Sequence, residues 1–98
     1  MEIKEYKRRE FLGDRLLGFI VGDIQGNDYK KCIPIVNNDN LAKVAQSLGL
    51  IPHPENIPPA SIRRKMKIYA DAYEVRIYEI YIESGIDAVK QFVLETLF

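Results

Sequence analysis

The sequence predicts an all-α domain, on three observations. Apolar residues recur at three- and four-residue spacing in separate segments, the period that turns one helical face toward a core. The longest of these segments, from Ser61 to about Glu83, carries two apolar stripes, so a helix there needs cover on two sides and belongs at the centre. The one short β-branched run, Cys32–Val36, is interrupted by Pro34, which argues against a central strand.

In chain order, a first helix is expected from about Glu5 to Ile24, with Leu12, Leu16, Phe19 and Ile20 on its apolar face. Gly13 and Gly18 lie inside it at a cost of up to about 1 kcal/mol each relative to Ala, so another segment is expected to cross closely there. The stretch from Gly22 to Asp28 has turn composition and ends the helix. Cys32–Val36 then reads as an extended connector. A second helix follows, with Asn37, Asn38 and Asp39 as N-cap candidates, Leu41, Val44, Ala45 and Leu48 on one face, and Gly49 at the C′ position.

Leu50 to Ala60 carries four prolines and reads as a loop, with Ser61 as N-cap of the long third helix. In that helix Ile62, Met66, Tyr69, Tyr73, Ile77 and Ile80 form one stripe, and Ile68, Ala72, Val75 and Ile82 the other. Between them runs a polar line of Arg64, Lys67, Asp71, Glu74 and Tyr78. Ser84-Gly85 turns the chain into a last amphipathic helix, Ile86 to Leu97, carrying Ile86, Val89, Phe92, Val93 and Leu97.

The 98 residues make one domain, 1–98, small enough that self-association would help to bury its apolar surface. A composition of 47% apolar and 29% charged residues is that of a globular chain rather than a disordered one. Fourteen basic residues balance fourteen acidic ones, so there is no global nucleic-acid signal, but the basic residues cluster at Lys7-Arg8-Arg9, Lys30-Lys31 and Arg63-Arg64-Lys65. One Cys and one His rule out an intrachain disulfide, a Cys/His zinc site and a two-histidine mechanism. Cys32 and His53 make a poor nucleophilic pair, since His53 lies between Pro52 and Pro54. No secretory pattern opens the chain and no apolar run is long enough for a bilayer, so a cytoplasmic location is expected.

The chemistry-bearing residues are acidic. Glu10 and Asp14 stand one turn apart on the first helix, and Asp71 and Glu74 three residues apart on the third. Such pairs are commonly solvated surface. Here both are hemmed by apolar residues, and carboxylates held together are disfavoured unless a cation lies between them. Four acids on two helices can enclose one or two hard divalent cations, which take oxygen ligands and need neither His nor Cys. Cations of this kind serve phosphodiester hydrolysis, and the basic clusters ahead of each pair could hold phosphates.

At these residues the sequence resembles the ribonuclease III family. Glu10-Phe11-Leu12-Gly13-Asp14, preceded by Arg8, is similar to the family signature. Val36 to Ala42 with Gly49-Leu50 is similar to its next segment, and Ala70 to Val75 with Ile80 to Gly85 to its third block, in the right order over about residues 8–97. The resemblance implies an all-α, ribonuclease III-like endonuclease domain that forms a homodimer and cleaves double-stranded RNA with Mg²⁺ (or Mn²⁺), leaving 5′-phosphate and 3′-hydroxyl ends. Glu10, Asp14, Asp71 and Glu74 match the metal-binding catalytic acids, Glu74 and Asp14 being the most direct ligands. Phe11 matches a residue that packs into the partner subunit, and Lys67 a basic position near the site. Arg8 and Arg64 are further candidates for RNA contact.

There are departures from the family pattern. Lys7 stands at a usually acidic position, Arg76 and Glu79 at usually small or apolar ones, and the connector between Ile24 and Val36 is short. Only seven residues precede Arg8, where the family domain has helices, and nothing resembles its double-stranded-RNA-binding module. An accessory protein for substrate delivery is therefore an expectation. Two other readings compete: a catalytically weak RNA-binding or assembly module of the same fold, and a helical dimer whose acids are surface decoration.

Overall fold

The computed structural model describes residues 1–57 and 62–98, with side chains in the second stretch from Lys65 onward. The described residues form five helices: α1 (Ile3–Ile24), α2 (Tyr29–Val36), α3 (Asn38–Ser47), α4 (Ile62–Ser84) and α5 (Ile86–Leu97). The expected N-cap Ser61 and the side chains of Ile62 and Arg64 lie outside the described residues. No described helix is long and apolar enough to cross a membrane.

The long helix α4 is central, packing against α1 and α3 and carrying α5. Every residue from Ala70 to Val75 is buried, so its middle is covered on all sides. Around it the core gathers Leu17, Ile20 and Val21 of α1, Leu41 and Ala45 of α3, Tyr73 and Ile77 of α4, and Val89 and Val93 of α5. Burial stabilises each of these Leu, Ile and Val side chains by about 1.5–3 kcal/mol.

The segment expected to be an extended connector is instead helix α2. Asp28 caps its start by accepting from the Lys30 amide at 3.2 Å. Pro34 lies inside it, beyond the first turn, so its missing amide removes one i→i−4 bond of this short helix. Side-chain amides then meet the terminal carbonyls: Asn37 donates to Pro34 O at 3.3 Å and Asn40 to Ile35 O at 2.8 Å. Asn37 also caps α3, accepting from the Asn40 amide at 2.8 Å. At the far end of α3, Gly49 at φ 73° closes a Schellman motif through Leu50 N to Ala45 O and Gly49 N to Gln46 O.

Several expected core residues face outward. Phe19 is 69% exposed, and Leu48, Ile82 and Ile86 are exposed as well. On α1 the buried line is Tyr6, Gly13, Leu17, Ile20 and Val21, and the line through Leu12, Leu16 and Phe19 forms a second apolar face. Gly13 is crossed closely as expected; Gly18 faces open space and is not.

Candidate metal centre at the crossing of α1 and α4

The site is made where α1 passes over the buried middle of α4. A Cβ on Gly13 would fall 2.6 Å from the Glu74 carbonyl carbon and overlap the carbonyl oxygen, so only glycine permits this approach. The contact brings the two acidic pairs together. The Glu10 carboxyl neighbours that of Asp71, and the Glu74 carboxyl that of Asp14. All four predicted acids therefore converge, paired across the helices rather than along them.

Their surroundings differ. Asp71 is 1% exposed and Glu74 8%, whereas Asp14 lies at the solvent edge. Asp71 is well partnered: Lys67 Nζ donates to Oδ1 at 2.8 Å, Asn56 Nδ2 donates to Oδ2 at 3.1 Å, and Lys7 Nζ lies 3.7 Å away. Buried charge persists only with such compensation. Lys7 also reaches Glu10 at 3.4 Å and Asn56 Oδ1 at 3.0 Å, and Lys67 lies 3.9 Å from Glu10.

Glu74 has no ion pair among the described residues. Burial first, then the hydrogen bond to Asp14 and the charges of Asp14, Asp71 and Glu10, push its carboxyl up to about 9. Burial also raises Glu10, together with the hydrogen bond to Asp71 and its charge, against the opposing pull of Lys67 and Lys7. Burial alone would lower the Lys67 ammonium, but the bond to Asp71 and the neighbouring carboxylates raise it overall.

The donor set is entirely oxygen, which suits a hard divalent cation. Among the described residues no group of three or more acid, His or Cys side chains is placed to hold a metal ion; the acids stand two and two.

Two contributors escaped sequence reasoning. Asn56 comes from the proline-rich loop, which is tied down by its amide bond to His53 O at 2.9 Å and by the packing of His53 on Tyr6 at 5.2 Å. Nothing in its spacing marks Asn56, whereas Lys7, one turn before Glu10, could have been found by helical geometry. Arg8 is exposed, held by Glu5 at 2.8 and 2.9 Å and placed 5.6 Å from the Tyr78 ring centre. Phe11 is 55% exposed, with Arg15 over its ring at 4.9 Å.

The chain is similar to proteins named ribonuclease 3. It is 33% identical to that of Rhizobium meliloti (strain 1021), across 92% of this chain and 43% of the relative's length. For the protein of Mesorhizobium japonicum the identity is 30%, across 91% and 46%. For that of Brucella canis it is 30%, across 90% and 41%. The chain thus spans less than half the length of these relatives. No family model matches the sequence, and no solved structure matches the fold.

Proposed function

We propose that the chain is an endonuclease domain of the ribonuclease III type, hydrolysing phosphodiester bonds of double-stranded RNA with Mg²⁺, for which Mn²⁺ can substitute. The observation that carries this reading is the meeting of Glu10 and Asp14 with Asp71 and Glu74 at the Gly13 crossing. Similarity to ribonuclease 3 proteins across nine-tenths of the chain supports it. So does the wholly oxygen donor set.

Asp14 and Glu74 would hold the ion most directly, with Glu10 and Asp71 completing the acidic wall. When bound, Mg²⁺ supplies Lewis acidity, lowering the pKa of a nucleophilic water and offsetting charge on phosphoryl oxygens. Asp14, at the solvent edge, places this chemistry where a duplex can reach it. Lys67, half-exposed beside Asp71, and Arg8, held by Glu5 and Tyr78, would meet backbone phosphates. Arg64, on the same helix as Lys67, is a further candidate for RNA contact. Attack at phosphorus with departure of the 3′ oxygen leaves 5′-phosphate and 3′-hydroxyl ends. A homodimer would bury the exposed Phe11, and an accessory protein would supply affinity for the duplex.

Incubation with long duplex RNA and Mg²⁺ is expected to yield short duplex products. Glu74→Gln is expected to abolish cleavage while leaving the far-ultraviolet circular dichroism unchanged. Intact RNA at high protein concentration, with the duplex bound, would assign the domain to RNA binding or assembly instead.

A further inference from the structure

Helix α2 turns toward solvent a face that its own fold does not use. None of its eight residues is buried. Cys32, Ile35 and Val36 pack against the core, whereas Tyr29 is 75% and Ile33 46% exposed. Those two stand four residues apart, one above the other, and make a single apolar ridge. At about 100° per residue, Lys30 falls in the middle of the exposed arc, with this ridge on one flank and Lys31 on the other. Both lysines are exposed, as is Pro34, and neither lysine makes an ion pair among the described residues. The adjoining carboxylate, Asp28, is engaged in capping the helix through the Lys30 amide.

We propose that this outer face of α2 is a docking surface for an acidic protein segment that carries apolar side chains among its carboxylates. Two ammonium groups can be covered by a partner only if it brings anions to accept from them, and charge-assisted bonds to carboxylates do so. The phosphates of a nucleic-acid duplex would also satisfy the lysines, but a phosphate backbone offers nothing to Ile33 and Pro34. An acidic peptide with an aromatic or aliphatic residue meets both needs: its carboxylates accept from Lys30 and Lys31, and its apolar side chain covers Tyr29 and Ile33. A single short helix face makes a small contact, so the binding is weak and is screened by salt.

The test uses the full chain with a fluorescently labelled random copolymer of glutamate and tyrosine, set beside polyglutamate and a duplex RNA and read by fluorescence anisotropy. Circular dichroism controls for folding. The copolymer is expected to bind more tightly than polyglutamate and to weaken severalfold as salt is raised. Lys30→Glu with Lys31→Glu is expected to weaken it at least about tenfold, and Tyr29→Ser with Ile33→Ser to remove the preference over polyglutamate. Lys4→Glu with Lys65→Glu, a charge change of the same size on other elements, is expected to keep the binding. A copolymer that does not bind, or that binds equally well to the Lys30/Lys31 variant, overturns the inference, and so does an equal loss in the Lys4/Lys65 variant. Duplex RNA that binds more tightly than the copolymer and is weakened by the Lys30 and Lys31 substitutions gives the face to nucleic acid and overturns it as well.

Discussion

Gly13 of α1 lies directly against the Glu74 carbonyl of α4, with no room for a methyl group between them. The main chain of α4 cannot move aside without uncovering the fully buried Tyr73 and Ile77. Gly13→Ala is therefore expected to destabilise the fold by about 2–4 kcal/mol in urea denaturation, at or above the usual cost of overpacking. Gly18→Ala meets nothing within contact distance and is expected to gain up to about 1 kcal/mol from helix propensity. Equal effects at the two glycines would show that the crossing does not depend on position 13.

The raised Glu74 carboxyl makes stability depend on pH. Its folded value near 9 lies above the ordinary 4.5, so the folded chain binds this proton more tightly than the unfolded chain does. The resulting stabilisation is complete below about 4.5 and is lost as the pH rises toward about 9. In chelator, the melting temperature is expected to fall between pH 5 and pH 9, by the equivalent of a few kcal/mol. Glu74→Gln keeps the hydrogen bonding without the charge and should flatten that profile. An unchanged slope in the variant would place the responsible group elsewhere.

Asn56 connects the loop to the buried carboxylate, donating to Asp71 while accepting from Lys7. Outer partners of this kind set the orientation of the groups they hold, and their loss commonly costs about 10–100-fold in metal affinity or activity. Asn56→Ala is expected to weaken Mn²⁺ binding and RNA cleavage within that range, with global stability changed by under about 1.5 kcal/mol. Asn56→Asp puts a further carboxylate against Asp71 and should do more damage than Ala. Equal activity in all three forms would remove Asn56 from the site.

Much of this was readable from helical spacing. The period of 3.6 places Glu10 over Asp14 and Asp71 by Glu74, and the two stripes of α4 announce a central helix. What spacing cannot supply is the pairing across helices, Glu10 with Asp71 and Asp14 with Glu74, which the close approach at Gly13 decides. Helix α2 was hidden because Pro34 weighs against regular structure, while the Asn37 and Asn40 amides that complete its end act through tertiary geometry. Asn56 was hidden because a loop residue has no period to reveal which element it reaches. Phe19 was misplaced for a further reason: α1 has two apolar lines, and periodicity does not say which of them faces the protein's own core.

That second line gives the last prediction. Phe19 is 69% exposed beside Tyr81 and Ile82, themselves 44% and 50% exposed, and Leu12 and Leu16 continue the surface toward Phe11. A contiguous apolar patch of this kind is what a second copy would cover in the proposed homodimer. Phe19 is then an anchor, and replacing such an anchor commonly costs about 2 kcal/mol or more, equivalent to about thirtyfold in affinity. Sedimentation velocity of the wild type is expected to show a dimer at micromolar concentration, and Phe19→Glu is expected to shift it to monomer without loss of helicity. If the wild type stays monomeric when concentrated, or if Phe19→Glu leaves a dimer intact, the patch is not the subunit interface.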